Sequence, residues 1–171
     1  MEGPEDEAII TAYLKHRGMY LEFLVSGGHI VPVGGKSKMP MLLALARGMS
    51  IDVFCVFDFD MDKNEAKRAN GDMIRYAADA DVIIPAEISQ DLSTSRFFAS
   101  VENIQSSIAS SNETWTEVMR NIAEEWGWDI TRMNKDPMVL EEALSRILET
   151  HQGITSLDLL TNSLQQFWRS N

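Results

Sequence analysis

Apolar positions along the chain fall into two regimes. Up to about residue 90, short apolar runs alternate with stretches of helical spacing. Pro4 and Glu5 open a predicted helix that runs to about Arg17, with Ile9, Tyr13 and Leu14 on one face and Gly18 beyond its end. His29 to Val33 reads as a short strand closed by the Gly34-Gly35 turn. Ser37 is the expected N-cap of a helix reaching about Arg47, with Pro40 tolerated in its first turn. Ile51 to Phe57 is nearly continuous in apolar residues, the mark of a strand buried on both faces of a parallel sheet. Lys63 to Ala78 is a polar helix, and Val82-Ile83-Ile84 is a third short strand stopped by Pro85. Strand and helix in alternation predict an α/β fold with helices flanking a parallel sheet.

From about Asp91 onward the spacing is helical only. Phe98, Val101, Ile104 and Ile108 recur at helical intervals, as do Trp115, Val118, Met119 and Ile122. Val139, Leu140, Leu144, Ile147 and Leu148 form the next stripe, and Leu157, Leu160, Leu164, Phe167 and Trp168 the last. Residues 109–112 and 151–153 punctuate these helices. The predicted organisation is an α/β catalytic domain over 1–90 and a helical extension over 91–171 that contributes to its site.

Composition narrows the class. The 171 residues suffice for one domain with a real core. A single Cys55 in an apolar run excludes an internal disulfide and makes a reducing, cytoplasmic setting the default. No apolar run is long enough to span a bilayer, so no membrane partner is expected. Fifteen Lys and Arg against 26 Asp and Glu give a formal charge of −11. That balance argues against gripping nucleic acid by bulk counterion release. It leaves room for chemistry on phosphates, because clustered carboxylates that hold divalent cations turn a negative site into one that accepts phosphate.

The position of the acids therefore matters more than their number. One cluster, Glu2, Glu5, Asp6 and Glu7, stands at the mouth of the first helix; another, Asp58, Asp60 and Asp62, begins where the buried strand ends. Ligands bind at the carboxyl ends of parallel strands in open α/β sheets. Asp58 and Asp60 share a side of an extended chain, where two carboxylates are costly unless a cation or proton separates them. For Glu5 and Glu7 the plainer account is the helix dipole, which favours acids in a first turn.

Familiar motifs can be tested on these residues. An EF-hand loop starting at Asp58 needs Gly and Glu where the chain has Lys63 and Ala69, so it fails. A Walker loop ending at Gly35-Lys36-Ser37 needs Gly where the chain has Ile30, so it fails too. The scattered His16, His29 and His151 lack metal-ligand spacing. A haloacid-dehalogenase-like phosphatase with Asp58 as nucleophile shares the strand and Asp-x-Asp, and stands as an alternative. It leaves the Glu2-Gly3-x-x-Asp6 opening unexplained.

The order Glu2-Gly3-x-x-Asp6, Gly34-Gly35-Lys36, Asp58-x-Asp60 resembles the TOPRIM catalytic fold of topoisomerases, primases and related nucleases. The finer resemblance is to the OLD (overcoming lysogenization defect) family of endonucleases, on the segments EGPEDEAI, VPVGGKS and VFDFDMDK. FFASVENI, with Glu102, and Asn134-Lys135-Asp136-Pro137 resemble further elements of that family. The resemblance implies a TOPRIM-like α/β domain that hydrolyses DNA with two Mg²⁺ or Mn²⁺ ions. It implies Glu2, Asp6, Asp58, Asp60 and Glu102 as ligands, Lys135 as a stabiliser of transition-state charge, and Lys36 and Lys38 as nucleic-acid contacts.

The sequence also departs from that family. Met1 directly precedes Glu2, where relatives carry a hydrophobic strand and, further upstream, an ABC-type ATPase domain. The expectation is a truncated first strand, with the ATPase domain encoded upstream or separately. An alternative is an inactive remnant that serves as an assembly module. Met19 to Val25 is a candidate to fill part of the missing strand's place, and exposed apolar edges predict low stability or a homo-oligomer.

Overall fold

The computed structural model describes residues 1–59, 64–77, 89–129, 133–150 and 153–170. The helices are α1 (Pro4–His16), α2 (Tyr20–Val25), α3 (Met39–Gly48), α4 (Asn64–Ala77), α5 (Ile104–Ser111), α6 (Trp115–Trp126), α7 (Pro137–Thr150) and α8 (Thr155–Ser170). The strands are β1 (Cys55–Asp58), β2 (Leu92–Ser93) and β3 (Phe97–Ser100). Among the described residues, the chain is α/β with a small mixed sheet in the order β1-β3-β2. β1 pairs with β3 in parallel, Asp58 opposite Ser100, and β2 pairs with β3 antiparallel.

Both faces of the two main strands are covered, which is why their sequences are apolar without a break. Val56 and Phe98 turn to one face and join a core built from α1, α5, α6, α7 and α8. Cys55, Phe57, Phe97 and Ala99 turn to the other and pack with Met39 and Leu43 of α3 and Met73, Ile74 and Ala77 of α4. The Phe57 ring meets Phe97 at 5.7 Å and Phe59 at 5.8 Å between centroids. The sheet is thus a wall between two helical layers. It draws strands from both sides of residue 90, and α1 packs mainly on α7.

Several expectations are corrected. The helical spacing read from Phe98 to Ile104 is in fact β3 followed by a new helix: Asn103 caps α5 by accepting from Ser106 N–H at 2.8 Å. Four buried residues in a row, Phe97 to Ser100, fit a two-faced strand as well as a helix, and periodicity does not separate the two. The sheet is mixed rather than parallel because β2 returns through a tight turn. In that turn Thr94 Oγ1 accepts from the N–H groups of Arg96 and Phe97. β1 begins at Cys55, not Ile51; Ile51 is half exposed. Ser37 is not an N-cap but lies in a 3₁₀ turn, Lys36–Lys38, that leads into α3. Tyr20 to Val25 forms a helix and does not supply a strand. The strand read at 82–84 lies outside the described residues.

Residues 29–33 do not join the sheet either. They pair instead with the first residue: the Met1 nitrogen lies 3.3 Å from Val31 O, and Val33 N–H donates to Met1 O at 3.0 Å. This is a parallel-type pairing centred on Pro32, which has no N–H to extend it on its other side. An apolar cavity of about 520 Å³ opens between this segment and Phe54 to Val56, lined also by Phe23, Leu43 and Trp168. Among the described residues, no helix is long and apolar enough to cross a membrane.

Candidate metal centre

Two chain features bring Glu2 to the end of β1. First, Gly34 and Gly35 both donate their N–H groups to Glu2 O, at 2.9 and 3.1 Å. They do so with φ of 73° and 119°, conformations open to glycine and strained for other residues. Second, α1 starts immediately after Glu2, with Gly3 as N-cap and Pro4 in its first turn. The main chain of Glu2 is therefore fixed between a turn and a helix, and its side chain is aimed across at β1.

The hydrogen-bond alternation of β1 supplies the partner. Cys55 and Phe59 donate their N–H groups to β3, at Arg96 O and Ser100 O. Strand geometry then turns the Asp58 N–H to the opposite edge. There it donates to Glu2 Oε1 at 3.1 Å. The Asp58 carboxylate is fixed from the other side: Ser100 Oγ donates to its Oδ1 at 2.7 Å. The opening glutamate and the aspartate after the apolar strand thus meet, although 56 residues separate them.

Lys36 stands beside Glu2. Its Nζ donates to Asn70 Oδ1 at 3.1 Å and lies 4.0 Å from Glu2 Oε1. Asn70, on α4, donates through Nδ2 to Phe59 O, so one buried amide joins the lysine to the backbone just after Asp58. Asp6 lies near Glu2 in the first turn of α1, 9% exposed, with Oδ2 accepting from Gly3 N–H at 3.0 Å. Burial pushes its carboxyl up to about 6; the Gly3 N–H pulls it down, and the neighbouring Glu5 and Glu2 charges add to the rise.

The remaining predicted residues are placed as follows. Asp60 lies outside the described residues, as does Asp62. Glu102 is exposed, two positions past Ser100 at the carboxyl end of β3, and lines a cavity of about 450 Å³ with Asp91 and Ser107. Lys135 is exposed in the turn before α7; its neighbour Asn134 accepts at its carbonyl from Gln105 of α5 at 2.7 Å. Lys38 is exposed, whereas Lys36 is buried and committed to Asn70, not displayed at a surface. Among the described residues, no three His, Cys, Asp or Glu side chains gather into a metal-binding group. The Glu2 carboxylate reaches the Asp58 backbone, and both side chains offer hard carboxylate oxygens, the kind that Mg²⁺ and Mn²⁺ take.

Two residues of this network were not picked out from sequence. Ser100 ends an apolar strand just as Asp58 does, but its strand was read as helix. Asn70 lies on the same stripe of α4 as Met73, Ile74 and Ala77. A lone polar residue on a buried helical stripe is a signal that could have found it.

Residues 1–60 match the family described as Overcoming lysogenization defect protein-like, TOPRIM domain. The matched span carries Glu2, Asp6, Gly34, Gly35, Lys36, Asp58 and Asp60, while Glu102 and Lys135 lie beyond it. No curated protein and no solved structure matches the chain.

Proposed function

We propose that this protein is a metal-dependent endonuclease that hydrolyses DNA phosphodiester bonds with two Mg²⁺ or Mn²⁺ ions. An OLD-like TOPRIM segment points to metal-dependent nucleic-acid chemistry of the nuclease or primase kind. The observation that carries the finer reading is the Glu2 carboxylate seated on the Asp58 amide at the carboxyl end of β1.

Glu2 and Asp58, with Asp60 two residues on, would hold the ions, and Asp6 and Glu102 would complete the set. Bound there, such a pair activates the attacking water and steadies the leaving oxygen. The chain's own part is to fix the carboxylates: the Gly34-Gly35 amides hold Glu2, and Ser100 orients Asp58. Lys135 would approach the phosphate from the helical side and stabilise charge developing on it. DNA is the proposed substrate, with Lys38 an exposed contact to its backbone. An ABC-type ATPase domain, in the same or a separate polypeptide, and a second copy of the chain are proposed partners.

Nicking of supercoiled plasmid with Mg²⁺ or Mn²⁺ tests this reading, in wild type, Asp58→Ala and Lys135→Ala. Removing a metal ligand should lower the rate by at least about 10²-fold, and removing Lys135 by about 10²-fold or more. Hydrolysis of a simple phosphate ester that needs Asp58 but not Lys135 would replace the nuclease with a phosphatase. No cleavage and no Mn²⁺ binding would leave an assembly module.

A further inference from the structure

Lys36 is the least expected member of this site. It is 8% exposed in a protein of net charge −11, and a buried ammonium requires partners. The structure supplies them from separate elements: Asn70 of α4 at 3.1 Å, and Glu2 at 4.0 Å from the chain's start. Asn70 is itself 5% exposed and tied to Phe59 O, so the lysine cannot move without undoing a buried hydrogen bond beside Asp58. The positive φ of Gly34 and Gly35 places Lys36 where its side chain turns inward while the same turn grips Glu2. Anchor and cation are therefore parts of one device.

A cation in this position has two consequences. Lying 4.0 Å from Glu2 Oε1, it offsets the negative charge that Glu2 brings to the end of β1. It also repels any second cation that approaches the same oxygens. We propose that Lys36 is a built-in counter-cation of Glu2 where its carboxylate meets the end of β1, that Asn70 is the positioning residue holding it there, and that it opposes divalent-metal binding. This inference rests on the metal-centre reading for its second half only. Lys36 balances the Glu2 charge before metal arrives and sets how tightly the metal is then held.

The test compares wild type, Lys36→Met, Lys36→Arg and Asn70→Ala by thermal melting in EDTA and by Mn²⁺ titration, following free Mn²⁺ by its paramagnetic resonance signal. Lys36→Met should melt lower than wild type in EDTA and recover most of the difference in saturating Mn²⁺. It should bind Mn²⁺ about tenfold more tightly, the order expected for removing one nearby like charge from a partly solvated site. Lys36→Arg, which keeps the charge, should match wild type, and Asn70→Ala, which loosens the cation, should fall between. A residue that only fills space would not tighten metal binding when replaced.

Mn²⁺ binding by Lys36→Met that is unchanged or weaker overturns the proposal, as does a Lys36→Arg variant that behaves like Lys36→Met. If Lys36→Met does not fold, Asn70→Ala decides: tighter Mn²⁺ binding supports the proposal, and unchanged binding overturns it. If wild type binds no Mn²⁺, the metal-centre reading fails. The counter-cation role then stands or falls on the EDTA melts alone, with an unchanged Lys36→Met melting temperature against it.

Discussion

Replacing Asp6 with Asn should stabilise the protein above neutral pH and do almost nothing in acid. The Asp6 carboxyl is 9% exposed, and burial is the largest cause of its rise from an ordinary 3.8 to about 6. In the fold it holds its proton up to about pH 6, while in the unfolded chain it loses that proton near 3.8. Between these values the folded state binds more protons, so the stability contributed by the neutral carboxyl is full below about 3.8 and is lost as pH rises through about 6. Ionised Asp6 then destabilises the fold by up to about 3 kcal/mol. Asn is nearly isosteric with the neutral acid, and its Oδ1 can still accept from Gly3 N–H, so Asp6→Asn removes the cost of the buried charge and little else.

At about 2–4 °C per kcal/mol for a domain of this size, the Asn variant should melt up to about 10 °C above wild type near pH 8. The two should converge near pH 4. Circular dichroism melts in EDTA across that range measure the gap directly. A gap independent of pH, or a wild type that is the more stable above neutrality, would refute the linkage. Adding Mn²⁺ near neutral pH sharpens the result: if Asp6 ligates metal, the ion should stabilise wild type more than the variant and narrow or reverse the gap.

Two further outcomes follow from other parts of the structure. Tyr13, fully buried on α1, donates to Asp158 Oδ1 at 2.9 Å and accepts from Ile154 N–H at 3.0 Å at the start of α8. Tyr13→Phe leaves that buried N–H without its partner and should cost about 1–3 kcal/mol in urea unfolding, with no change in Mn²⁺ affinity. Gly35→Ala puts a side chain at a φ of 119° and disturbs an amide that holds Glu2. It should cost about 1–3 kcal/mol and also weaken Mn²⁺ binding, whereas Gly18→Ala, at a φ of 66° in the turn after α1, should cost stability alone.

How much of this was legible in the sequence depends on the range over which each feature is decided. The stripe of Ile9, Tyr13 and Leu14, and those of α6, α7 and α8, announced helices because burying one face of a helix leaves a local repeat. The apolar run into Asp58 announced a two-faced strand, and Glu2, Gly34-Gly35 and Asp58 were singled out by residue type and position. Phe97 to Ser100 was misread because four buried residues are too few to show a period, and only pairing with β1 makes them a strand.

Local pattern thus determined which residues carry charge at the ends of elements, since turn glycines, caps and strand ends obey short-range rules. Tertiary structure alone decided which of them meet. The placement of Asn70 beneath Lys36, of Ser100 against Asp58, and of the Glu2 carboxylate on an amide of β1 each joins residues at least 30 positions apart. Such contacts depend on how helices and strands stack on both faces of the sheet, and that stacking leaves no periodic trace in any one segment.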